Sequence, residues 1–393
     1  MPKVRTCPAM LLVAFLFCTV IASSAQSTFF TSLASFDGTD GSYSYAGLVE
    51  STDGNFYGTA WAGGTYNDGT VFKVTPNGTL TTLHSFDGQD GRGPYSLVHA
   101  TDGNFYGTTV WGGAYGAGTI FKITPSGTLT TLFSFDGQDG SAGAVLLQAR
   151  DGNFYGITAG GGTNGGYGTV YRITPGGILS TLYSFDGTDG QGPDALMQAS
   201  DGNFYGATGG GGTNGGYGTI FKITPSGLLT TLHSFDNSQG WFPTAGLMQA
   251  SDGSFYGTTN YGSNNNCSTG CGTVFKITPS GTLTTLHSFD GSDGAYPVAG
   301  VVQDRQGNLY GATYGGGAYN NCSYGCGTVF MIAPSGTLTT LHSFDGTDGD
   351  SPLGALVQAT DGNFYGTTPA GGRYGDGTVF GVGFVGPCAR CSP

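Results

Sequence analysis

The chain has 393 residues, 76 of them Gly and 16 Pro, with 25 acidic side chains against 12 basic ones. Every acid but Glu50 is Asp, and so little Glu and Lys argues against a helical bundle or a doubly wound α/β fold, because helices favour those residues. The 22 Tyr and 26 Phe supply ample apolar surface for burial, which argues against disorder.

Residues 1–25 read as a secretory signal. Lys3 and Arg5 form a basic start, Met10 to Ile21 is an apolar run, and Ala22-Ser23-Ser24-Ala25 supplies small residues for cleavage after Ala25. The run is short for a membrane span, so the mature protein is expected to be secreted, extracellular or periplasmic, with no span after cleavage. Removing Lys3 and Arg5 leaves a net charge of −15 on a chain that starts at −13. Such a surface repels nucleic acid and anionic membranes, so neither is expected as a partner.

Residues 26–385 are a tandem array. Asp-Gly-Asn-Phe-Tyr-Gly occurs at 53–58, 102–107, 151–156, 201–206 and 361–366, with variants at 252–257 and 306–311. Gly-Thr-Val/Ile-Phe/Tyr begins at Gly69, Gly118, Gly168, Gly218, Gly272, Gly327 and Gly377, and Ser-Phe-Asp recurs seven times. The period is 49 to 55 residues, in the range of propellers and solenoids. Within the second repeat, four strands are expected at Tyr95–Ala100, Asn104–Val110, Thr119–Thr124 and Thr128–Phe135. Gly-bearing hairpin turns join the first two and the last two. Four antiparallel strands per repeat make a propeller blade, so the expected fold is an all-β, seven-bladed β-propeller. The array opens with a lone fourth-type strand, Thr28–Phe36, and ends on a third-type strand, Thr378–Val382. Pairing these two would close the ring and remove both open sheet edges.

These units resemble a known family. Ser-Phe-Asp-Gly, Asp-Gly-Asn-Phe-Tyr-Gly-Thr-Thr, Gly-Thr-Val-Phe-Lys and Pro-Ser-Gly-Thr-Leu-Thr-Thr-Leu look like the GloVer repeat of secreted bacterial "choice-of-anchor" proteins, over residues 28–385. More distantly the chain is similar to NHL-type and streptogramin-lyase-like propellers. The resemblance implies a secreted or surface-displayed bacterial protein and brings no established activity with it. No catalytic motif of the lyases maps onto these positions, and the tail at 386–393, ending Cys388-Ala389-Arg390-Cys391-Ser392-Pro393, is no recognisable anchor.

Six cysteines remain in the mature chain, in close pairs: Cys267/Cys271, Cys322/Cys326 and Cys388/Cys391. In an oxidising compartment local disulfides are the leading reading, with a zinc site as the rival. Paired carboxylates recur in Ser-Phe-Asp-Gly-x-Asp-Gly, including Asp37/Asp40 and Asp87/Asp90. They read as turn residues, with Ca²⁺ held by Asp and backbone carbonyls as the alternative; no other cofactor is implied. Gln148, Gln198, Gln249, Gln303 and Gln358 share one inner-strand position that Glu50 and His99 occupy in the first two repeats. Glu50 and His99 are thus the one candidate acid/base pair, against a plain hydrogen-bonded ring bordering the channel. His84, His233, His287 and His342 fall in separate outer strands and cannot share one metal.

The aromatic residues are more suggestive. All three Trp, at 61, 111 and 241, fall in second–third loops or blade connections, with Tyr66 and Tyr115 nearby. Aromatic faces beside amides suit a glycan or an extracellular protein partner. The expected function is therefore a secreted binding or structural module working through that face. The alternative is an extracellular carbohydrate-active hydrolase or lyase using the central channel.

Overall fold

The computed structural model describes residues 28–244, 246–262 and 266–384. The signal segment, Cys388 and Cys391 lie outside them. The described residues form seven four-stranded antiparallel sheets, and no helix among them is long and apolar enough to cross a membrane.

The second blade shows the plan. Its strands run Arg92–His99, Phe105–Trp111, Thr119–Ile123 and Leu129–Ser134, in sequential order across the sheet. The Asp-Gly-Asn hairpin between the first two is built by Asp102, whose carboxylate accepts the Asn104 N–H (3.0 Å) and the Tyr106 hydroxyl (2.9 Å). Positive φ at Gly103 (77°) closes the turn, a conformation that costs glycine nothing. Gly107 is required by packing instead: a Cβ there would sit 2.5 Å from the Phe121 ring.

Adjacent Phe and Tyr of the motif point to opposite faces of the strand. Each therefore reaches a different neighbouring blade. Tyr57 stacks on Phe105 (4.2 Å), Tyr106 on Phe154 (4.1 Å), Tyr155 on Phe204 (4.2 Å), Tyr205 on Phe255 (4.1 Å) and Tyr310 on Phe364 (4.0 Å). Tyr365 of the last blade meets Phe56 of the first at 4.3 Å, completing the circle. At the remaining seam the Phe is replaced by Leu309, which is buried there without a ring to stack.

Closure follows the expected strand exchange. Strand β1 (Thr28–Ser35) pairs antiparallel with β28 (Thr378–Phe384), from Thr28 opposite Phe384 to Ser35 opposite Thr378. The last blade is thus completed by the first described strand of the chain.

Candidate binding face and central channel

The innermost strands place their shared polar residue beside the Asp-Gly-Asn hairpins. Gln148 Oε1 accepts the Thr101 N–H of the preceding blade (2.8 Å), Gln198 that of Arg150 (3.0 Å) and Gln249 that of Ser200 (2.7 Å). Glu50 fills the same slot at the closure seam, accepting the Thr360 N–H (2.9 Å) and hydroxyl (2.7 Å). His99 stacks on Phe105, with ring centres 4.9 Å apart. Among the described residues no ion pair joins Glu50 to His99. Of the two candidate residues, Glu50 is held at the closure seam by Thr360, and His99 stacks within its own blade.

The paired Asp residues cap their own turns. Asp87 Oδ1 accepts the N–H groups of Gln89 (2.9 Å) and Asp90 (3.2 Å), and Asp90 Oδ1 accepts the Asp87 N–H in return (3.1 Å). Asp37 and Asp40 do the same, with the Thr39 hydroxyl added. The outer-strand histidines belong to the same network: His84 Nε2 lies 2.7 Å from Asp90 Oδ2, and His287–Asp293 and His342–Asp348 repeat the contact at 2.7 Å. In the fifth blade His233 meets Gln239 instead (2.8 Å). Ala34 and Phe133 stand where the other blades have a donor. There burial outweighs the turn hydrogen bonds and raises the Asp40 and Asp139 carboxyls above the usual range.

The opposite face carries the aromatics, in two arcs. Trp61 packs edge-on against Tyr45 (5.4 Å), Tyr95 (6.3 Å) and Trp111 (4.9 Å). The second arc runs from Trp241 to Tyr261 (4.5 Å), Tyr296 (5.7 Å from Tyr261) and Tyr324 (6.2 Å from Tyr296). Trp61 and Trp111, from neighbouring blades, are in contact. Trp241 belongs to the other arc, and Tyr66 and Tyr115 are exposed loop residues outside both. Arg92 lies over the Trp111 ring and pairs with Asp68 (3.2 Å), away from the channel axis.

The arcs line two cavities. One, of about 330 Å³, draws Tyr45, Trp61, Tyr95, Asp194, Phe242 and Asn260 from four blades. The other, of about 640 Å³, lies under Trp241, Tyr261, Tyr296 and the disulfide loop residues Ser268 and Thr269. Phe242, Asn260, Val298 and Leu353 line both. Inner-strand residues from opposite sides of the ring meet here, which places these cavities at the mouth of the central channel.

Phe242 and Tyr296 enter this mouth from left-handed backbone, at φ 63° and 59°. The same position is left-handed in every blade: Gly93 (63°) and Gly192 (59°) adopt it freely, and Tyr43 (56°), Ala142 (55°) and Ser351 (59°) adopt it as well. A bulky residue there is a genuine outlier.

Two polar groups in the mouth were missed by sequence reasoning. Asp194 sits two residues after Gly192, at a position held by Tyr45, Tyr95, Ala144, Thr244, Val298 and Leu353 in the other blades. Burial pushes its carboxyl up to about 6. Its charge, after burial, also raises the Tyr95 hydroxyl. Aligning the repeats on the Gln position would have exposed this single carboxylate. Asn260 is 7% exposed, its N–H bonded to the Phe242 carbonyl (3.1 Å), while its Oδ1 has no hydrogen-bond partner.

Disulfides join Cys267 to Cys271 and Cys322 to Cys326, as expected. Among the described residues, the metal-capable grouping of Cys322, Cys326 and Asp350 has both sulfurs tied up in that bond.

Solved structures share this architecture at low identity. A streptogramin B lyase superposes with a TM-score of 0.62 at 14% identity, over 91% of this chain and 98% of its own. Virginiamycin B lyase from Staphylococcus aureus gives the same score and identity, over 91% and 99%. The extracellular domain of a hybrid two-component system from B. thetaiotaomicron follows at 0.57 and 12%, over 90% of this chain and 40% of that one. No match was found among curated proteins. The model of the Gloeobacter/Verrucomicrobia repeat matches residues 18–194 and 144–380, and the chain belongs to that repeat family.

Proposed function

We propose that this propeller is an extracellular binding module that takes a glycan at the aromatic mouth of its central channel. The observation that carries the reading is the convergence of aromatic rings on the two cavities: Trp241, Phe242, Tyr261 and Tyr296 at the larger, and Tyr45, Trp61 and Tyr95 at the smaller. The left-handed connection is common to all seven blades and accepts Gly, Ala and Ser as well as aromatics; Phe242 and Tyr296 use it to direct rings into the cavities. Flat rings beside amide and hydroxyl groups match the apolar face and polar rim of a sugar. The two disulfides fit an oxidising compartment. A glycoside hydrolase reading would want a second carboxylate facing Asp194, and the residues lining the two cavities supply none.

The test is a glycan panel read against the parent chain, Trp61→Ala and Phe242→Gly. Phe242→Gly relieves the backbone while deleting a ring, so it should melt at or above the parental temperature and bind at least tenfold more weakly. Parental binding by both variants would remove this face as the site.

A further inference from the structure

The two polar groups of the channel mouth narrow the ligand, resting on the glycan reading above. Both are acceptors: a carboxylate at Asp194 and an amide oxygen at Asn260. Among the described residues Asp194 has no ion-pair partner, and no Lys, Arg or His lines either cavity. The ligand must therefore bring the donors. The fold does not ask for this carboxylate, because the other blades place Tyr, Ala, Thr, Val or Leu at the same position. An acid confined among Tyr45, Trp61, Tyr95 and Phe242 is costly to ionise unless a cation joins it. Those same ring faces attract cations, best of all Trp. The overall charge of −13 draws a cationic ligand toward the surface.

We infer that the channel mouth recognises an amino sugar in its protonated form, with Asp194 receiving the ammonium group, Asn260 Oδ1 a hydroxyl, and the Trp61 cluster the apolar face of the ring. A cavity of about 330 Å³ opening into one of about 640 Å³ leaves room for more than one sugar unit. The titratable groups facing Asp194 from the surrounding strands are Tyr45 and Tyr95, both neutral across the physiological range because burial raises them further. Ligand affinity should therefore fall as pH drops below about 6, where Asp194 takes up its proton.

The experiment is calorimetric titration of the purified chain with a β-1,4-linked glucosamine trimer, its fully N-acetylated counterpart, and choline. At pH 7 the amine trimer should bind at least tenfold tighter than the acetylated one, and Asp194→Asn should erase that preference. Lowering the pH from 7 to 5 should erase it too. Equal binding of the two trimers would overturn the ammonium assignment while leaving the glycan face standing. Failure of both trimers, or choline binding as tightly as the amine trimer, would overturn the amino-sugar assignment together with the glycan reading beneath it.

Discussion

Glu50 accepts both the N–H and the hydroxyl of Thr360, a residue 310 positions further along the chain. The contact spans the seam where the ring closes and does there what glutamine does elsewhere. Glu50→Gln should therefore melt close to the parent, while Glu50→Ala should cost about 0.5–1.5 kcal/mol, the net worth of hydrogen bonds whose donors water can reach. Denaturant titration of both variants decides it. Equal losses would mean that the charge, rather than the acceptor, matters at this seam.

Removing residues 28–35 should take the outer strand from the last blade and expose the edge of β28. The shortened chain is expected to melt far below the parent and to self-associate. An unchanged melting temperature, with a monomeric profile in light scattering, would contradict closure by strand exchange.

Acid should unfold this protein. Carboxylates of both turn types, including Asp37, Asp87, Asp151 and Asp361, are held below the usual range. For Asp201, partial burial pushes upward, but the Asn203 amides and Lys222 prevail and lower it to about 2. Groups with depressed folded pKa values stabilise above the unfolded value of about 3.9 and lose that contribution as pH falls. Circular dichroism should show the sheet intact at pH 4 and a cooperative loss between about pH 3.5 and 2. Stability that stays flat down to pH 2 would count against these turns as charged caps.

Asp194 has the opposite sign. Its folded pKa of about 6 lies above the unfolded value, so its contribution is favourable below about pH 3.9 and is lost as pH rises toward 6. At pH 7.5 the ionised carboxylate weakens the fold, and Asp194→Asn should stabilise it by about 1–3 kcal/mol. A destabilised Asn variant at that pH would show that the carboxylate has a structural partner.

The disulfide loops should matter more to the cavity than to the fold. Closing a loop of about five residues contributes only about 2 kcal/mol in the chain-entropy account. Ser268 and Thr269, inside the Cys267–Cys271 loop, line the larger cavity. Cys267→Ser with Cys271→Ser should lower the melting temperature modestly and weaken glycan binding severalfold. Intact binding would separate this loop from the site.

The architecture was legible because each local rule repeats seven times. Turn chemistry, strand alternation and the odd strand at either end all agreed. The Asp turns and the outer histidines were read as separate features. The six-residue gap between His84 and Asp90 crosses a strand end and a turn, and only the folded turn brings them to 2.7 Å. The Trp61–Trp111 contact was readable because neighbouring repeats become neighbouring blades. The channel mouth was not, since Tyr45, Asp194 and Val298 come from blades that only the closed ring sets face to face. Asp194 also hides in Gly192-Pro193-Asp194, a string that looks like an ordinary turn but is strand.

Strand β1 leaves the ribosome before any other described strand, and its partner β28 leaves last. The blades between them can form in order as they emerge, each packing its motif Phe, or Leu309 in the sixth, against the one before. The chain must nevertheless carry an unmatched strand until β28 is made, with the latch set only then. A product that ends just before β28 would keep most of its blades and lack the fastening. One exposed strand therefore reports on the completeness of the entire ring.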